Sequence, residues 1–261
     1  MTDDVRTLDY GDRGSVVVVS DGDALANMAA NLLLTSAEEA TAAGHRALIA
    51  LSGGSTPKKM GGLLGAEPLI ERIPWSNIDL FWGDERWVPL AVPESNAGEA
   101  MRGYLDAAPI GSDHIHPFAT EGIAAEDSAA AMERTLRGLQ SGAGVPQFDL
   151  VLLGMGDDGH TASLFPGTAA VHETDRLVVS HHVEKLDATR LTFTPPLINA
   201  ALKVAFLVGG AGKAEMLARV LEGPVDIDAM PSQAIRPDNG HLTWIVDEAA
   251  ASRLTGTPTN G

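Results

Sequence analysis

One stretch, LGMGDDGHTASLFPG from Leu153 to Gly167, gathers Asp157, Asp158 and His160 among glycines, directly after the apolar run FDLVLLG. Histidine titrates closest to neutrality of all side chains, so His160 is a candidate general base near pH 7. Asp158, two residues earlier, could orient the imidazole or stabilise imidazolium once it forms. If HTASLF opens a helix, the helix dipole favours the neutral ring instead. These two influences oppose one another, and the sequence does not decide between them. Gly154, Gly156 and Gly159 permit a sharp turn and a close backbone approach to a ligand. The plainer role for the stretch is a capped strand-to-helix connection.

Three further segments carry polar groups where apolar runs stop. In WGDERWVP, Asp84, Glu85 and Arg86 stand between Trp82 and Trp87. Arg86 offers a permanently charged fork of donors for a carboxylate, a phosphate or a developing oxyanion, and a surface ion pair is the alternative. In LSGGSTPKKM, Gly53, Gly54 and Ser55 precede a helix expected to start at Pro57, so free N–H groups and a helix dipole could face an anion. The spacing is not that of a nucleotide P-loop. In VGGAGKAEML, Lys213 falls in the first turn of a helix, where a cation opposes the dipole and a functional reason is expected. Arg190 opens RLTFTPPLIN and says less on its own. The pairs His114/His116 and His181/His182 could bind zinc but lack a supporting ligand pattern. Neither GxSxG nor HExxH occurs, which argues against a serine hydrolase elbow and a zincin.

These segments need a scaffold that brings them together. SVVVVS, RALIALS, IDLFW, FDLVLLG, KVAFLVGG and HLTWIVD read as strands, several apolar throughout, and alternate with helical stretches. One such helix follows Asp21 or Asp23 as cap and ends at Gly44. The pattern implies an α/β fold with a mainly parallel sheet and helices on both faces. Ligands of such sheets bind outside the carboxyl ends of the strands, and four polar segments fall there, after Leu51, Trp82, Leu153 and Val208. The turn-rich LEGPVDIDAMPSQAIRPDNG reads as a surface loop, and residues 1–261 as one domain.

Bulk properties narrow the class. With 44% apolar and 20% charged residues, the chain has the composition of a globular protein. A net charge of −17 argues against nucleic acid and anionic membranes as partners. The absence of cysteine removes disulfides, thiol catalysis and thiolate-bound metals. The acidic start MTDDVRTLDYGD has no secretory pattern, so a cytoplasmic location is expected.

Taken in order, LSGGSTP, DLFWGDERWVP with SNAGEAMR, FDLVLLGMGDDGHTASLFPG, RLTFTPPLINAA and VGGAGKAEML resemble the successive blocks of the 6-phosphogluconolactonases, from about Ser52 to Ile235. The resemblance implies a modified Rossmann-like domain. It also implies hydrolysis of 6-phospho-D-glucono-1,5-lactone to 6-phosphogluconate, the second step of the oxidative pentose phosphate pathway, with no cofactor or metal. By position, His160 matches the base that activates water, and Arg86 the residue on the lactone carbonyl side, with Asp84 nearby. The Gly53–Gly54–Ser55 turn, Arg190 and Lys213 match positions that hold the sugar phosphate. Asp157 is variable in the family and is assigned no role. The related glucosamine-6-phosphate deaminases are the runner-up, but their HIAFNEP carries a carboxylate where this chain has Ser163, Leu164 and Phe165. A sugar-phosphate-binding module without catalysis is a third reading, disfavoured because binding alone needs no base. The expected partner is a small sugar-phosphate lactone, with no obligate protein partner evident.

Overall fold

The computed structural model describes residues 5–139 and 144–256, so the first four residues of the acidic N-terminus lie outside the described residues. Among the described residues, ten strands form two sheets. They are β1 (Arg6–Asp9), β2 (Ser15–Val19), β3 (Ala47–Leu51), β4 (Ile78–Trp82), β5 (Asp84–Arg86), β6 (Leu150–Gly154), β7 (Val178–Val183), β8 (Ala188–Phe193), β9 (Lys203–Val208) and β10 (His241–Asp247). The larger sheet has the order β1-β2-β10-β9-β6-β3-β4 and is parallel except for β1. β5, β8 and β7 make a separate antiparallel sheet, which the sequence pattern did not announce.

The helices are α1 (Gly22–Ala42), α2 (Ser55–Leu64), α3 (Leu69–Arg72), α4 (Asn96–Ala100), α5 (Ala125–Leu139), α6 (Pro195–Asn199), α7 (Ala214–Glu222) and α8 (Glu248–Ala251). Asp21 caps α1 by accepting from the N–H groups of Asp23 and Ala24, as a short acceptor at that position should. None of these helices is long and apolar enough to cross a membrane.

Alternation along the buried strands splits the interior in two. Val151 and Leu153 of β6 join the core beneath α5, α7, β7 and β8, while Leu150 and Leu152 join the core beneath α1 and α2. Both faces of the parallel sheet are therefore covered, which is why β3 and β6 are apolar throughout. Chain direction across the sheet reverses between β3 and β6, which are neighbours although β4 and β5 intervene in sequence. A crevice opens at the carboxyl ends of strands flanking such a reversal. The loops after β3 and β6 are the GGST turn and the segment bearing His160.

Candidate active site

The segment after β6 does not become a helix. Ala162 adopts a left-handed backbone (φ 47°), Thr161 and Leu164 form an isolated bridge, and Thr161 Oγ1 donates to Gly154 O at 2.9 Å. The expectation of a helix dipole at His160 is therefore corrected, because side-chain and turn bonds take the backbone groups a helix would use. The loop is closed by Gly156 N–H donating to His160 O at 2.8 Å. It is anchored from below by Ser232, whose N–H (2.9 Å) and Oγ (2.8 Å) both donate to Gly159 O. Ser232 is buried on the turn Pro231–Ala234, so the stretch read as a surface loop in fact supports this site. Gly156 is required by close approach: a Cβ there would stand 2.0 Å from His160 Nδ1.

With the dipole absent, the carboxylate governs the ring. Asp158 Oδ1 lies 2.5 Å from His160 Nδ1, and Lys185 Nζ donates to Asp158 Oδ2 at 2.8 Å. Burial pushes the Asp158 pKa up, but the bonds from Lys185 and His160 outweigh it and hold the group down at about 2. An ionised carboxylate only accepts, so the imidazole proton sits on Nδ1 and Nε2 is the nitrogen free to take a proton. Phe165 stacks on the ring at 4.2 Å between centroids and fixes its plane from the other side.

The opposite wall is built by β5. Gly83 passes the chain from one sheet to the other, its N–H donating to Leu51 O and its carbonyl accepting from Phe193 N–H. Glu85 is fully buried and accepts four bonds, from Arg86 N and Asn96 N at Oε1 and from Ser95 Oγ and Ala97 N at Oε2. Burial raises its pKa more than these donors lower it. This clamp fixes the backbone of Arg86, whose Nη1 donates to Glu94 O at 2.6 Å. Arg86 and Arg190 are direct partners across the β5–β8 ladder. Burial first, then Arg86, lowers the pKa of Arg190, and two cations held side by side make an anion site. Asp84 accepts from Ser163 Oγ at 2.7 Å, and Ser163 O in turn accepts from His181 Nε2 at 2.7 Å. Burial lowers the pKa of His181, so it serves as a neutral donor.

These walls enclose an open cleft of about 520 Å³ lined by Asp84, Arg86, Asp158, His160, Lys185 and Arg190, among others. Lys213 reaches the cleft through Asp157, an ion pair of 2.5 Å, which offsets the penalty of a cation before α7. Gly53 and Gly54 instead line a neighbouring cavity of about 440 Å³ with Lys58, Glu99 and Arg102. Their turn packs behind β5: a Cβ on Gly53 would meet Asn96 Oδ1 at 1.8 Å, and Asn96 Nδ2 donates to Asp84 O. Ser55, not Pro57, is the first residue of α2.

The family profile described as glucosamine-6-phosphate isomerases/6-phosphogluconolactonase matches residues 20–244. The chain belongs to this family. Within it, a 6-phosphogluconolactonase of Nostoc sp. is 42% identical over 92% of this chain and 98% of that protein. One of Streptomyces coelicolor is 36% identical over 93% of this chain and 95% of its own length. The solved structure of 6-phosphogluconolactonase from Trypanosoma brucei covers 92% of this chain and 98% of its own, with a TM-score of 0.81 and 29% identity. Where the deaminase branch of the family is expected to carry a carboxylate, this chain places the Phe165 ring against His160.

His114 and His116 lie away from the cleft, both donating to buried Asp79 Oδ1 at 2.9 Å, beside Arg46. The sequence shows no sign of Lys185, and His181, weighed there only as a zinc ligand with His182, instead supports Ser163. Both act through contacts distant in sequence, so no local spacing marks them.

Proposed function

We propose that this cleft hydrolyses 6-phospho-D-glucono-1,5-lactone to 6-phospho-D-gluconate, with water activated by His160. The observation that carries the reading is the 2.5 Å bond from His160 to ionised Asp158, with Nε2 free in a cleft that also holds Arg86 and Arg190. Nε2 takes a proton from water as the oxygen attacks the lactone carbonyl. Arg86 stabilises the oxyanion that forms, and the imidazolium returns the proton to the ring oxygen as the acyl–oxygen bond breaks. A positioned base contributes about 10²–10⁴ in rate, and an oxyanion donor about 10²–10³. Together these suit an ester that is already strained.

While Gly53 and Gly54 line the neighbouring cavity and take no part in it, Arg190 and Lys213 hold the phosphate, which keeps the distant carbonyl in register. Lys213 must exchange Asp157 for the phosphate to do so. Asp84, steadied by Ser163, accepts from sugar hydroxyls. The chain acts as one unit in the cytoplasm on a small sugar-phosphate lactone, within the oxidative pentose phosphate pathway, and needs neither nucleic acid nor a protein partner. A paired assay tests the reading. Acceleration of 6-phosphogluconolactone hydrolysis without ammonia release from glucosamine 6-phosphate supports it, and ammonia release would transfer the protein to the deaminase branch.

A further inference from the structure

The β7–β8 hairpin does more than extend the small sheet. Its connection, the 3-10 turn Glu184–Leu186, ends on Asp187 in a left-handed conformation and sets Lys185 at the cleft. Lys185 Nζ meets Asp158 Oδ2 at 2.8 Å while Asp158 Oδ1 meets His160 Nδ1 at 2.5 Å. One carboxylate thus bridges a cation and the imidazole through its two separate oxygens. We propose that Lys185 is a positioning residue for His160, acting through Asp158 as the outer member of a Lys185–Asp158–His160 relay. The proposal rests on His160 being the base.

Two consequences follow from the geometry. Lys185 fixes the carboxylate plane, and so the direction in which Asp158 aims the ring. It also shares the negative charge of Asp158, which would otherwise act undivided on imidazolium and keep the base protonated to higher pH. The other charged groups around the relay are Asp157 on the same loop, Asp84 and Arg86 on β5, Arg190 on β8, and Lys213, which is paired to Asp157. Phe165 closes the remaining side of the ring without charge. None of these contacts the second oxygen of Asp158 as Lys185 does.

The test is the pH dependence of kcat/KM for 6-phosphogluconolactone in the wild type, K185M, K185R and H160Q. In K185M the acid limb is expected to move up by about half a unit, and plateau kcat to fall about threefold to tenfold. K185R, which keeps the charge, is expected to restore the wild-type limb. A K185M acid limb superimposed on that of the wild type overturns the proposal. So does a rise in KM alone, which would make Lys185 a direct substrate ligand. In both cases inactive H160Q leaves the base reading standing. Active H160Q would instead remove that reading, and the relay with it.

Discussion

Replacing Glu85 probes the scaffold behind Arg86. Its carboxylate is fully buried and receives bonds of 2.8, 2.8, 3.0 and 2.8 Å from Arg86 N, Asn96 N, Ser95 Oγ and Ala97 N. In Glu85→Gln the amide oxygen can keep the pair at Oε1, while the NH₂ group faces Ser95 and Ala97. Ser95 Oγ can rotate to accept, which leaves the Ala97 N–H orphaned at about 1–3 kcal/mol. The remaining bonds lose their charge assistance, roughly another 1–2 kcal/mol. Against this, the neutral amide escapes the desolvation that raises the pKa of Glu85. The net expectation is about 2–3 kcal/mol for Gln. For Ala, where all four donors lose their acceptor, it is about 4–5 kcal/mol. The Gln loss leaves a domain of about 5 kcal/mol folded, whereas the Ala loss removes nearly all of that. Urea unfolding followed by tryptophan fluorescence measures both, and kcat for the lactone should fall with them as the Arg86 backbone loosens. A Gln variant within 0.5 kcal/mol of wild type with full kcat would refute the clamp.

Two further outcomes test other parts of the account. Lys213→Ala should raise KM for 6-phosphogluconolactone with little change in kcat. Equal weakening toward unphosphorylated gluconolactone would remove the phosphate assignment. Asp79→Ala removes the shared acceptor of Arg46 and two histidines, though Arg46 keeps Ser76 O, and should cost about 3 kcal/mol, the low end for a broken buried pair, since Arg46 and His114 keep 33% and 34% of their side-chain surface. Burial raises the Asp79 pKa, but the bonds from His116 and His114 prevail and lower it. Its contribution is therefore present above the unfolded carboxylate value of about 4 and is lost as pH falls through the folded value. Urea midpoints of wild type and variant should converge below about pH 4, and a constant gap down to pH 2 would contradict this.

Much of the site was legible because its parts are local. The spacing of Asp158 and His160, the apolar run before them, and the polar ends of β3, β4 and β9 are all written within short windows. The helix expected from HTASLF failed because Thr161 bonds back to Gly154 and Ala162 turns left-handed, a tertiary choice that propensity does not register. β5 could not be read as a strand: Asp84, Glu85 and Arg86 look like a loop until β8, more than a hundred residues later, supplies the ladder. Lys185 and Ser232 were hidden for the same reason, since each meets the His160 loop only after the chain has returned from another element. Asp157, set aside from the sequence, proves to hold Lys213.

The most direct measurement is kcat for the lactone in His160→Gln, with KM determined alongside. The account predicts a loss of about two orders of magnitude or more in kcat with KM little changed. A variant that keeps near-normal kcat would contradict the assignment of His160 as the base.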